Sequence, residues 1–259
     1  MMIIEYHRPE TIDDALSLLS RKDPSTVVLG GGLYLNEVVK SPIAVVDIQS
    51  LGLEKIQTKG KKAILGAGIT LQAILKHQKI PQALLEAIKY QETYNRRQIA
   101  TIGGTLIAAT GRSAITGVML ALDAEIELEK LGEKSTKLHL GDFLPVREEH
   151  LQGRLLTRIT IPTEIKTEFE YVARSPADLP IVAAAVSQWP AGRTRAVLAG
   201  YGDQPIMVFD GPDSKGADIA ARDAYSQAED QWARADYRSE MAAVLVQRCL
   251  NNIADEKEG

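Results

Sequence analysis

Arg96 to Ala114 reads RRQIATIGGTLIAATGRSA, and the fold of the 259-residue chain turns on how this stretch is read. Arg96, Arg97 and Gln98 lead into the apolar Ile99-Ala100, and Thr101-Ile102-Gly103-Gly104 then offers a hydroxyl, a buried anchor and two residues without a Cβ. Paired glycines let backbone N–H groups come close to a ligand, and consecutive N–H groups pointing inward form an anion nest. The plainer reading is an ordinary turn, which Gly-Gly between apolar runs usually marks. A second loop of the same chemistry, Gly30-Gly31-Gly32, follows the strand-like Val27-Val28-Leu29 and adds weight to a binding role.

Outward from this stretch, short strands alternate with capped helices. Ile3–Tyr6 is strand-like, and Thr11 caps a helix carrying Ile12, Ala15, Leu16 and Leu19 on one face, with Asp14 near its positive end. Asp23-Pro24 stops that helix. Ala44–Ile48 and Ala63–Leu65 are compact apolar runs of strand length, so the opening of the chain reads as α/β. Gly66-Ala67-Gly68 precedes a helix capped by Thr70, but Leu71 stands where a dinucleotide fingerprint needs its third glycine. Another helix is expected after Pro81. Beyond the central stretch come a short helix over Ile115–Leu122 and strands at Ala124–Leu128, Thr136–Leu140 and Leu155–Ile161. Pro162 and the charged residues through Glu168 mark a domain boundary. Strands at Phe169–Ala173, Ile181–Trp189, Arg195–Ala199 and Pro205–Phe209 follow, then helices over Ala217–Ala233 and Ser239–Ile253.

Composition narrows the chemistry. Hydrophobic content of 45% and charged content of 25% describe a globular chain, and a net charge of −4 gives no electrostatic reason to expect nucleic acid or an anionic membrane. No apolar run approaches the ~18 residues of a membrane span, and MMIIEYHRPE lacks the features of a secretory signal, so the cytoplasm is the expected location. Cys249 is the only cysteine, which excludes an intrachain disulfide and a thiolate cage. It sits in the amphipathic MAAVLVQRCL and reads as a small buried hydrophobe. His7, His77, His139 and His150 show no ligand spacing, so no metal site is expected. Gly111-Arg112-Ser113-Ala114-Ile115 is not a nucleophile elbow, since its fifth residue is isoleucine.

Over nearly its full length the chain resembles the flavoprotein subunit of the molybdenum hydroxylase family, which includes carbon monoxide dehydrogenase and xanthine dehydrogenase. Arg97 to Thr105 follows most of the family's Arg-Asn-x-x-Thr-Ile-Gly-Gly-Asn signature. Gly30-Gly31-Gly32-Leu33 resembles its first glycine loop, Val46-Asp47-Ile48 its Val-Asp-Ile strand, and Leu65 to Thr70 a strand end before a capped helix. Arg174 and Asp178 before Ile181–Val186, and Tyr237-Arg238 before a last helix, agree as well.

The resemblance implies an α+β chain with two α/β subdomains of an FAD-binding PCMH-type fold (1–165, divided at about 55) and a smaller three- to four-stranded sheet packed with helices (166–259). It implies FAD, held by main-chain N–H groups of the two glycine loops. The implied cofactor residues are Gly30, Gly31, Gly32, Leu33, Tyr34 and Leu35, then Arg97, Thr101, Ile102, Gly103, Gly104 and Thr105, and Ser113, Ala114 and Leu156. It implies an oxidoreductase component, inactive alone, that takes electrons from iron–sulfur clusters and passes them through FAD to an external acceptor. The implied partners are a large molybdopterin-binding subunit and a small [2Fe–2S] subunit, assembled as paired heterotrimers. Several residues depart from the family pattern. Leu33 and Tyr34 replace small or polar residues, Gln98 and Thr105 replace asparagines, Ala114 replaces an aspartate, and Glu170 lies where some members have lysine. Leu33, Ala114 and Glu170 support a second reading, a scaffold subunit that has lost its flavin.

Overall fold

The computed structural model describes residues 2–35 and 42–255, which divide into two compact units. The first takes Met1–Gln78, Tyr94–Ala108 and Ala124–Ile161. Three strands, β1 (Ile3–His7), β2 (Thr26–Leu29) and β3 (Ile43–Asp47), form a parallel sheet in the order β1-β3-β2. Central β3, IAVVD, is buried along its whole length, as a parallel strand covered on both faces must be. Between β1 and β2 runs helix Ile12–Leu19. It begins where it does because Thr11 is extended and its Oγ1 accepts the Asp14 N–H at 3.1 Å. Its apolar face, Ala15 and Leu16, packs with Val46, Ile48, Leu53 and Leu155. Burying Leu16 alone contributes about 2 kcal/mol.

A five-stranded sheet completes this unit: β4 (Ile56–Lys59), β5 (Lys62–Gly66), β6 (Glu125–Lys130), β7 (Thr136–His139) and β8 (Arg154–Pro162), in the order β4-β5-β8-β6-β7. β6 shows the expected alternation, with Ile126 and Leu128 inside. β4 has no such signature, because IQTK is an edge strand with three exposed residues and little apolar face to advertise it. Among the described residues, no helix is long and apolar enough to cross a membrane.

The second unit takes Lys79–Thr93, Ala109–Asp123 and Pro162–Gly259. The sequence expects one change of domain, after residue 165. The observed division begins its last segment at Pro162 and also draws helices Gln82–Gln91 and Ala114–Ala121 into the second unit. The reason lies in an antiparallel sheet of β9 (Lys166–Val172), β10 (Val182–Gln188), β11 (Thr194–Ala199) and β12 (Ile206–Gly211), ordered β12-β11-β10-β9. β10 and β11 are buried at almost every position, so alternate residues need separate cover. Val182, Ala184 and Val186 pack with Ala242, Leu245, Val246 and Cys249 of the last helix, Ala235–Asp255. Helix Ala114–Ala121, apolar all round, packs on β10 and β11 as well.

Cys249 is the buried hydrophobe that its context suggests, 0% exposed, and burial pushes its thiol far up from the usual range. The expected helix over Ala217–Ala233 stops at Ala224. Asp230 competes for the backbone there: its carboxylate accepts the N–H groups of Trp232 (2.8 Å) and Ala233 (3.2 Å), and Arg238 Nη2 at 2.7 Å. Arg238 is fully buried and also donates to the Ile181 carbonyl and, at 2.7 Å, to that of Gly200.

Helix Ala114–Ala121 is tied down at its end by charge. Asp123, at a left-handed φ of 54°, accepts Arg195 Nη1 at 2.8 Å and Arg193 at 3.2 Å. Both arginines also hold Asp210, at 2.7 and 2.8 Å. The Arg193 bond is the largest cause lowering the Asp210 pKa from 3.8 to about 2; burial opposes the shift and Arg195 adds to it. Because the folded pKa is depressed, this contribution to stability is full above pH ~4 and disappears as the pH falls through ~2. Urea unfolding between pH 2 and 5 should therefore show a shallower acid loss for Asp210→Asn than for the parent chain. Equal slopes in that window would remove the network from the acid response.

Candidate functional site

Segment 99–103 runs beside segment 67–71 in the first unit. Thr70 and Thr101 form an antiparallel bridge, with Leu71 N–H donating to Ala100 O at 2.9 Å and Ile102 N–H to Ile69 O at 3.0 Å. Thr101 is extended (φ −97°, ψ 152°) and caps helix Ile102–Ile107. The expected open nest at Thr101–Gly104 is therefore a helix start. Its N–H groups are engaged inside the chain: Gly103 donates to Ala67 O at 2.9 Å and Gly104 to Thr101 Oγ1 at 3.2 Å. Gly103 is glycine for a packing reason, because a Cβ there would lie 2.8 Å from Ala67 O.

The first glycine loop stands against the same segment. A Cβ on Gly31 would lie 1.5 Å from the Ile99 carbonyl oxygen, and one on Gly30 would lie 2.9 Å from Thr101 Oγ1. Gly32 adopts φ +73°, which side chains rarely tolerate. The N–H groups of Gly30, Gly31 and Gly32 find no acceptor among the described residues. Among the described residues this loop, not the second, carries donors without an acceptor.

Together the two segments wall a cavity of about 270 Å³. Gly30, Gly31, Gly32, Leu33, Tyr34 and Leu35 line it from the first loop, Thr101, Gly103 and Gly104 from the helix start, and Leu156 from β8. Ile107 and Ala108 join Gly104 at i+3 and i+4, so one helix face looks onto the cavity. A Cβ on Gly104 would meet only Thr101 Oγ1, at 3.0 Å, which leaves this glycine open toward the cavity. The rest of the wall is mostly apolar, with Val27, Val28, Ile48 and Leu155 among the residues. Arg154 is the one charged side chain on the wall among the described residues. Its place two residues before Leu156 is the signal that could have flagged it. Ile107 and Ala108 stay invisible while Gly-Gly is read as a loop.

Other expected site residues are not among those lining this cavity. Arg97 Nε donates to Gln72 Oε1 at 3.3 Å, Ile102 is fully buried, and Thr105 Oγ1 is engaged by Thr101 O at 2.9 Å; none of the three lines the cavity. Ser113 and Ala114 belong to the second unit. There Ser113 Oγ accepts the Thr110 N–H at 2.9 Å, and Ala114 opens its helix with no exposed surface. Gly111 N–H bonds Gly202 O at 3.1 Å, and Arg112 donates to the carbonyls of Leu179 and Pro180 at 2.6 and 2.9 Å. Glu170 lies within 3.4 Å of Asn252 Nδ2 on the last helix.

Residues 2–164 match the family model described as the FAD binding domain in molybdopterin dehydrogenase. The chain is 29% identical over 253 residues to the uncharacterized protein YgfM of Escherichia coli K12, covering 95% of this chain and 94% of that protein. It is 26% identical over 280 residues to the carbon monoxide dehydrogenase medium chain of Afipia carboxidovorans, covering 95% of each. Its fold superposes on a chain of the cyanide-inactivated Cu,Mo-CO dehydrogenase with a TM-score of 0.79, at 25% identity and 96% coverage of both.

The geometry separates two kinds of glycine. Gly31→Ala should cost ~3 kcal/mol or more, because its Cβ meets backbone that cannot move aside. Gly104→Ala should change stability by less than ~1 kcal/mol, since only a hydroxyl must give and alanine favours a helix. Denaturant unfolding of both variants checks this. Equal losses would mean that Gly104 packs against the chain instead of facing the cavity.

Proposed function

The chain belongs to the FAD-binding domain family of molybdopterin dehydrogenases, and on that premise we propose that it is the flavin subunit of such an enzyme, relaying electrons from a partner's iron–sulfur clusters to an external acceptor. FAD is the cofactor of the family, and the chain is an oxidoreductase component. The observation that carries the reading is the cavity: a glycine loop whose N–H donors find no acceptor among the described residues, together with apolar side chains. These residues fit the group. Backbone donors at Gly30–Gly32 suit phosphate oxygens, and Leu33, Leu35, Ile107 and Leu156 suit the flat apolar parts of a dinucleotide while excluding water. Bound FAD supplies the conversion between paired and single electrons.

The relay must come from elsewhere, because one buried cysteine cannot ligate a [2Fe–2S] cluster. We assign that role to a small [2Fe–2S] subunit and substrate oxidation to a large molybdopterin-binding subunit. One observation favours the second reading, a scaffold without flavin: Gly103 and Gly104, expected as donors, are already hydrogen-bonded within the chain.

Titration of the apo chain with FAD and FMN tests the cofactor. FAD should bind at micromolar concentration and in preference to FMN, and Gly104→Val should lose it while staying folded. No flavin binding at that concentration, with colourless purified protein, would support the scaffold. Purification at native expression should bring down a molybdopterin-binding chain and a [2Fe–2S] chain. A lone monomer that reduces its own flavin with a small substrate would overturn the assembly.

A further inference from the structure

We propose that Arg154, which the family signature does not nominate, supplies the positive charge that holds the anionic pyrophosphate of the dinucleotide; this rests on the flavin reading above. A pyrophosphate carries two negative charges into the site, and burying charge without compensation is costly. The resemblance expects both glycine loops to provide that compensation through N–H dipoles. In the structure the second loop is a helix start whose Gly103 and Gly104 donors go to Ala67 O and Thr101 Oγ1. Among the described residues of the two loops the Gly30–Gly32 donors remain, and they are neutral.

Arg154 lines the same cavity, from β8. It opens β8, two residues before Leu156, and no other described residue lining the cavity is charged. Its guanidinium is under-satisfied. Nη1 donates to the His150 carbonyl at 3.2 Å, while Nε is buried with no hydrogen-bond partner among the described residues. A buried donor left in that state is destabilising, and a guanidinium presents its donors in a fork that matches phosphate oxygens. The carboxylate it influences, Glu133, is exposed and already holds Lys130 Nζ at 2.5 Å, the main cause of its lowered pKa. Glu133 is thus engaged by another cation, and Nη2 of Arg154 has no hydrogen-bond partner among the described residues.

The arrangement makes Arg154 selective for the phosphate-bearing part of the ligand. Three probes separate this from a purely structural role: FAD and ADP, which share the pyrophosphate, and riboflavin, which has none. Each is titrated against the folded full-length chain and its Arg154→Gln and Arg154→Lys variants, at low and high salt. For Arg154→Gln, FAD and ADP should bind about 10- to 100-fold more weakly, as loss of a charged hydrogen bond implies, and riboflavin within twofold of the parent. Arg154→Lys should recover part of the loss, and the salt dependence of FAD binding should be shallower in Arg154→Gln. Equal loss of FAD and riboflavin, or FAD binding unchanged by Arg154→Gln, would overturn the assignment while leaving the flavin reading intact. A parent chain that binds neither FAD nor ADP would overturn the flavin reading itself. Should Arg154→Gln fail to fold, the Arg154→Lys ratio of ADP to riboflavin affinity decides, with no change in that ratio counting against the proposal.

Discussion

The first unit depends on backbone lying directly on backbone where Gly31 meets the Ile99 carbonyl. Nothing larger than a hydrogen fits there, since a Cβ would come to 1.5 Å of that oxygen. The contact brings the loop after β2 against the segment that precedes helix Ile102–Ile107, and the bridge at Thr70 and Thr101 holds that segment from its other side. Remove the close approach and the cavity loses two walls together. The glycines of this site are thus required first by the chain's own packing, and only then by a ligand.

This ordering changes how the cofactor chemistry is shared. A glycine-rich motif is usually credited with N–H donors and with room for phosphate. Here the two properties are divided between loops. Gly30–Gly32 donors find no acceptor among the described residues, whereas Gly104 gives room and its own donor caps a helix. We assign charge compensation to a side chain, and Arg154 is the charged one lining the cavity among the described residues. Substitutions such as Thr105 for an asparagine take on a local meaning, because its hydroxyl bonds the Thr101 carbonyl at 2.9 Å and stabilises the helix start.

The second unit solves a different problem, covering a sheet whose middle strands are apolar at nearly every position. Helices drawn from distant parts of the chain supply that cover. Arg193 and Arg195, shared between Asp123 and Asp210, fasten one of them by its end. Arg238 does the same inside the unit, joining Asp230 to the carbonyls of Ile181 and Gly200. Arg195 and Arg238 are buried, and removing an acceptor from a buried guanidinium is costly, which makes the loops that supply those acceptors part of the core.

Much of this was legible in the sequence by itself. Strands with alternating or continuous apolar runs, such as EIELEK in β6 and IAVVD in β3, follow from periodicity, and Thr11 and Thr70 mark helix starts through capping chemistry alone. The two glycine stretches and Leu156 could be nominated, and the fold class with them. β4 was not legible, because an exposed edge strand has no apolar pattern. Nor could local sequence show that Ala109–Asp123 joins the second unit, since that follows from which sheet its apolar helix covers. The same holds for Gly103, Gly104 and Arg154. Residue type says that a donor or a charge exists, but only the tertiary structure decides whether Ala67, Thr101 or His150 has already taken it, because hydrogen bonds are made between atoms brought together from distant positions in the chain.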